Sequence, residues 1–137
     1  MSGWDAQQLV QAAIEARERA YARYSTFQVG AALITPERRV FLGCNVENAS
    51  YGLTICAERV AVANAISAGQ TEFAAIAVAS RGGVTPCGAC RQVLAEFATD
   101  LPVLLADVDD LSDIRELNLS DLLPSAFDFD SHEESPL

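Results

Sequence analysis

Hydrophobic and polar positions along the chain switch several times between a helical and an extended rhythm. Asp5 and Gln8 make a start like a capping box. Leu9, Ala13, Ala16, Ala20 and Tyr24 then recur at three- and four-residue spacing, which predicts a helix over 5–23 with one buried face. The run FQVGAALI breaks that period, so 27–34 and 39–42 read as strands, with Thr35-Pro36-Glu37 as the turn between them. Residues 45–54 contain Asn, Ser and Gly and read as a loop. Residues 56–68 are rich in Ala and Val on nearly every side and stop at Gly69, the pattern of a buried helix.

The second half alternates in the same way. Residues 73–80 (FAAIAVAS) predict a buried strand, and Arg81-Gly82-Gly83 a flexible connection. A second helix is expected over 86–98, with Pro86 near its start, and another strand over 101–106. Residues 114–117 suit a short strand and 119–123 a short helix. Residues 128–137 (DFDSHEESPL) are acidic and expected to be disordered. This order implies an α/β sheet covered by helices. The later crossovers favour parallel pairing, so the sheet is expected to be mixed.

Composition narrows the functional classes. The 137 residues make one domain, 50% hydrophobic and 20% charged, in the range of globular chains. Acidic residues outnumber basic ones by 19 to 9, for a formal net charge of −10, and every basic residue is Arg. A field of that sign repels phosphate backbones and disfavours nucleic-acid binding. No apolar run approaches the roughly 20 residues that span a bilayer. The N-terminal MSGWDAQQL lacks a basic stretch followed by an apolar one, so a cytoplasmic location is expected. In a reducing compartment, four cysteines read as metal ligands or catalysts before disulfides, with buried small hydrophobes as the plain alternative.

Cysteine spacing brings out the chemistry. Cys87 and Cys90 form a C-x-x-C at the start of one predicted helix, and Cys56 starts another. Free amides and the positive dipole end at a helix start stabilise thiolates, the metal-binding form. Three soft ligands suit tetrahedral Zn²⁺ and leave a fourth position for water. Glu58, two residues after Cys56, could reach that water without ligating the metal and shuttle its proton. The same C-x-x-C also suits a redox pair. With Cys44 as a fourth ligand, it suits a closed structural zinc site instead. Cys44 otherwise reads as a core thiol at a strand end, and His132 as a solvated residue of the acidic tail.

With those residues placed, the chain resembles the small, homotetrameric cytidine deaminases. The matching segments are FQVGAALI (27–34), GCNVENASYG (43–52), CAERVAVANAISAG (56–69), PCGACRQVLAEF (86–97) and LLPSAF (122–127). Their family fold is a three-layer α-β-α domain with a mixed five-stranded sheet. The resemblance makes residues 1–127 the catalytic domain and implies hydrolytic deamination of cytidine and deoxycytidine in pyrimidine salvage, with one Zn²⁺ per chain. It implies that Cys56, Cys87 and Cys90 bind zinc and that Glu58 moves the proton. Asn45 and Glu47 would hold the ribose hydroxyls, Phe27 would pack on the pyrimidine ring, and Ala49 and Tyr51 would reach the sugar of a neighbouring site. Phe127 would stack on a base in a neighbouring subunit, with Phe129 a nearby competitor for that role. Arg59 would donate to the thiolate sulfurs and offset their excess charge. A blasticidin-type nucleoside antibiotic is the alternative substrate, and a non-catalytic zinc-stabilised binding module the alternative class.

Each assignment also has a reading from the residues alone. Asn offers donor and acceptor and Glu offers acceptors, so the pair can grip a diol from one side of an extended segment. An Asn-rich turn with a solvated Glu fits the same letters. Phe27 and Phe127 would ordinarily be core residues, and Arg59 the partner of a surface acid.

Overall fold

The computed structural model describes residues 4–98 and 100–127. The chain runs α1 (Ala6–Arg17), β1 (Gly30–Ile34), β2 (Val40–Cys44), a single 3-10 turn (Tyr51–Leu53), α2 (Ala57–Ser67), β3 (Ala75–Ser80), α3 (Gly88–Phe97), β4 (Pro102–Asp107), β5 (Asp110–Asn118) and α4 (Leu119–Leu122). The strands form one sheet in the order β2-β1-β3-β4-β5. Only β3 and β4 pair in parallel; the other neighbours are antiparallel. The mixed sheet expected from the crossovers is therefore present.

Alternation along the central strands builds two cores. Ala32, Ile34, Ala75, Ala77, Ala79, Leu104 and Ala106 face Leu9, Val10 and Ala13 of α1. Ala31, Leu33, Ile76, Val78, Val103 and Leu105 face Ala57, Ala61, Val62 and Ala65 of α2 and Leu94 of α3. The result is the three-layer α-β-α arrangement. Strands β1 and β3 are buried along their whole length because helices cover both faces, which is why their sequences lack a polar alternate.

Four expectations shift. Helix α1 ends at Arg17 rather than near residue 23, which leaves Ala20 and Tyr24 outside its face. The backbone beyond it pairs with the 45–47 segment instead: the Tyr21 N–H donates to the Asn45 carbonyl at 2.9 Å, and the Glu47 N–H to the Tyr21 carbonyl at 2.8 Å. Ladder pairing of β1 begins at Gly30 rather than at Phe27. Strand β5 is nine residues long, because backbone pairing with β4 carries a mostly polar edge sequence into the sheet. Helix α2 is not buried all round: Ala57, Glu58, Ala61, Val62 and Ala65 face inward, whereas Ala63, Asn64, Ile66 and Ser67 are exposed. The acidic segment 128–137, with Phe129 and His132, lies outside the described residues.

Gly43 fixes where α2 sits. A Cβ on Gly43 would lie 2.2 Å from the Ala57 carbonyl oxygen and 2.4 Å from the Ala61 nitrogen. Both are backbone atoms, so no side-chain rotation relieves the clash. Asn64 adds a tie, its Nδ2 donating to the Leu42 carbonyl at 2.6 Å. Gly43→Ala is therefore expected to push α2 off the sheet and destabilise the chain by about 1–3 kcal/mol. Thermal melting checks this; an unchanged midpoint would refute the close-packing account.

Candidate active site

Two helix starts converge on one point. Cys56 is the N-cap of α2 and Cys87 the N-cap of α3, and neither side chain is used in capping. Cys90 lies in the first turn of α3 and is fully buried. The three Sγ atoms lie within 4.8 Å of one another, with Cys56–Cys87 at 3.8 Å and Cys87–Cys90 at 3.3 Å. A tetrahedral zinc with Zn–S bonds of about 2.3 Å sets its sulfurs about 3.8 Å apart, so this triangle fits the ion. Among the described residues this is the one group of three or more potential metal ligands drawn together. Cys44, half-buried at the end of β2, is not part of it.

The electrostatics suit metal capture. The Cys56 thiol is held down at about 5, first by a hydrogen bond from Cys90 and then by Arg59. The Cys90 thiol is pushed well above its ordinary range, first because it is the donor in that pair and then by burial. Cys56 and Cys90 thus release their protons one after the other. Arg59 Nη2 approaches Cys56 Sγ at 3.7 Å and the Thr54 carbonyl at 3.4 Å. Its Nε is buried with no partner among the described residues. A guanidinium held that close to thiolates lowers the charge excess three sulfurs would place on a divalent ion.

Glu58 follows Cys56 by two residues and is only 5% exposed. Burial pushes its carboxyl up to about 6 from 4.5, and the Cys56 charge adds to this; its own backbone N–H and Arg59 pull the other way. Desolvation wins over the helix start. In metal-free chain the raised value stabilises the fold fully below pH 4.5, and this contribution is lost as pH rises through about 6. Glu58→Gln should therefore stabilise metal-free chain by about 2 kcal/mol at neutral pH, with the difference vanishing below pH 4.5. Denaturant titrations across pH with a chelator present check the sign; a pH-independent difference would reject it.

Asn45 and Glu47 lie on the segment after β2, whose Val46 bridges to Ile55, the residue before Cys56. Asn45 is buried; its Oδ1 accepts from the Val29 N–H and its Nδ2 donates to the Phe27 carbonyl, each at 2.9 Å. Glu47 Oε1 accepts from the N–H groups of Tyr24 at 2.8 Å and Ser25 at 3.1 Å, and Oε2 accepts from the Ser25 hydroxyl. The Ser25 hydroxyl, then those two N–H groups, hold the carboxyl below its ordinary range. Each side chain keeps hydrogen-bonding capacity: one donor and one acceptor position on Asn45, one acceptor position on Glu47. Phe27 is half-buried beside them.

The other expected contributors are exposed in the single chain. Ala49 and Tyr51 are exposed, Tyr51 by 81%. Phe127 is 60% exposed, and its carbonyl accepts from Gln92 Nε2 at 3.2 Å. It lines a groove of about 900 Å³ with Phe73 and Phe97 that includes none of the cysteines. Ser25 and Arg91 escaped the sequence reading. Arg91 donates to the Pro86 carbonyl at 2.7 Å, the Leu122 carbonyl at 2.8 Å and Thr85 Oγ1 at 3.1 Å, so it braces the loop that delivers Cys87. Its position directly after Cys90 was the available signal.

A buried carboxylate beside three convergent thiols on paired helix starts defines a zinc-dependent hydrolytic centre. The chain belongs to the cytidine and deoxycytidylate deaminase family: the model of that family's zinc-binding region matches residues 4–105. It is 52% identical over 126 residues to a cytidine deaminase of Halalkalibacterium halodurans, covering 90% of this chain and 94% of that protein. A cytidine deaminase of Sporosarcina psychrophila is 46% identical over 126 residues, with coverage of 90% and 91%. The crystal structure of cytidine deaminase from Burkholderia pseudomallei superposes with a TM-score of 0.86 at 51% identity, covering 90% of this chain and 100% of that one. No helix among the described residues is long and apolar enough to cross a membrane.

Proposed function

We propose that this chain hydrolyses the exocyclic amine of cytidine and deoxycytidine, giving uridine or deoxyuridine and ammonia in pyrimidine salvage in the cytoplasm. The observation that carries this reading is the pairing of the Cys56, Cys87 and Cys90 sulfurs with a buried Glu58 one helical step away. Zinc, when bound there, supplies an open coordination position and the Lewis acidity that activates water at neutral pH. Glu58 takes one proton of the attacking water and delivers it to N3 of the ring; it then takes the second proton from the hydroxyl added at C4 and hands it to the amino group, which leaves as ammonia as the C4 carbonyl forms. Its raised affinity for a proton suits both directions of transfer. Arg59 holds the Cys56 sulfur and balances its charge.

Asn45 and Glu47 use their spare hydrogen-bonding positions on the ribose hydroxyls, and Phe27 packs on the pyrimidine. These contacts lie away from C4, so their binding energy orients the ring for attack. Tyr51 and Ala49 extend to the sugar of a neighbouring site, and Phe127 stacks on a neighbour's base, in a homotetramer. Tyr21, Val46 and Ile55 are exposed apolar side chains drawn together by the bridges Tyr21–Val46 and Val46–Ile55, and Tyr24, Tyr51 and Leu53 on the same segments are exposed as well. A patch of this kind marks an interaction surface.

The test is the absorbance of cytidine over time with purified chain of measured zinc content and solution mass. Falling absorbance with about one zinc per chain and a tetramer mass is the expected result. Zinc without turnover of cytidine or deoxycytidine would overturn the substrate assignment, and a monomer mass the shared sites.

A further inference from the structure

The segment between α1 and β1 carries backbone strain at one residue. Thr26 has φ 59, in the left-handed region, where a β-branched side chain crowds the backbone. Such strain persists only where the surroundings over-determine it. Here they do. The Phe27 N–H donates to Ser25 Oγ at 3.0 Å, and the Phe27 carbonyl accepts from Asn45 Nδ2 at 2.9 Å. The backbone of Phe27 is therefore pinned on both sides. Ser25 is pinned in turn, because its N–H and its hydroxyl both donate to the Glu47 carboxylate. Glu47 closes the circuit through its own N–H, which donates to the Tyr21 carbonyl at 2.8 Å.

We propose that Ser25 is a positioning residue for the nucleoside, one hydroxyl that couples the Glu47 carboxylate to the Phe27 backbone and so fixes the sugar grip and the base platform relative to each other. The proposal rests on the cytidine deaminase reading above. The single hydroxyl proton of Ser25 goes to Glu47, so Ser25 has none left to donate to a ligand. Of the four acceptor positions on Glu47, Tyr24 and Ser25 occupy three, which leaves one, on Oε2, with a direction set by Ser25. Without the hydroxyl, Oε2 loses its partner while the Tyr24 and Ser25 N–H groups still hold Oε1, so the free acceptor direction on Oε2 is no longer fixed, and Phe27 loses the anchor that holds Thr26 left-handed. Both changes weaken binding of substrate and transition state alike, which raises KM and spares kcat.

The experiment compares zinc-loaded full-length chain with its Ser25→Ala, Ser25→Thr, Glu47→Ala and Ser25→Ala/Glu47→Ala variants on cytidine. Ser25 is exposed, so its truncation leaves no cavity. Ser25→Ala is expected to raise KM about tenfold, the scale of one hydrogen bond to a charged group, with kcat within about twofold. Ser25→Thr keeps the hydroxyl and restores KM. In the Glu47→Ala background, removing the hydroxyl lowers kcat/KM by clearly less than in the unaltered chain, because the part of its effect carried through Glu47 is already gone and only the Phe27 anchor is left. A lowered melting temperature with unchanged KM would mean a structural role only and overturn the proposal. So would a fall in kcat at constant KM, or an equal penalty with and without Glu47. If the unaltered chain fails to turn over cytidine, the proposed function falls and this inference with it; normal turnover with an indifferent Ser25 overturns the inference alone.

Discussion

Glu58→Gln in zinc-loaded chain is expected to retain about one zinc per chain and to lower kcat by roughly 10²- to 10⁴-fold, the range for loss of a positioned general acid–base. The substitution keeps the shape of the side chain and the first turn of α2, where Cys56 caps the helix. It touches none of the three sulfurs, so the metal should stay. What it removes is a group that accepts a proton and gives it back. Because Glu58 is buried, bulk water has little access to stand in for it. The proposed nucleoside grip, Asn45 and Glu47, lies on a different segment, so KM should move far less than kcat. Metal analysis and steady-state kinetics on the same sample decide the matter. Near-native turnover in a fully metal-loaded glutamine variant would remove Glu58 from the mechanism.

Legibility in the sequence followed the reach of the forces involved. The zinc trio was readable because its residue types are scarce and its C-x-x-C spacing is local. Strands β1, β3 and β4 were readable because burial on both faces leaves an unbroken apolar run. The end of α1 was not, because EARERAYAR is a good helical sequence and pairing of Tyr21 with a segment more than 20 residues away overrides it. Strand β5 was half-hidden for a related reason: only Ile114 and Leu117 are half-buried, one against each core, and the remainder of the ladder is backbone that any residue can form. Gly43 lay inside a motif quoted for its neighbours, yet its own role is the close approach of a helix that sequence spacing does not reveal. Ser25 was invisible because a serine in a loop is ordinary. Its meaning comes only from Glu47 arriving against it.

Cys87→Ala is expected to take zinc content from about one per chain to near zero after dialysis and to bring turnover to background, while Cys44→Ala keeps both. Cys87 is the informative ligand to remove. Its side chain is exposed in the single chain, so little packing is lost with it, whereas Cys90 is fully buried and its truncation would mix metal loss with a cavity. Two remaining thiolates leave zinc short of the three protein ligands a catalytic site uses. Affinity for the ion should then collapse, and stability with it to the extent that the ion holds the starts of α2 and α3 together. Cys44 separates the competing readings. A closed four-cysteine site would need it and would lose metal in the Cys44→Ala variant, but its sulfur is not drawn into the cluster that joins the other three. A redox role for the Cys87–Cys90 pair would instead leave activity intact after chelation. Loss of activity on chelation, its return on adding zinc, and indifference to Cys44 together require an open three-thiolate centre, with the fourth position left for the chemistry that Glu58 serves.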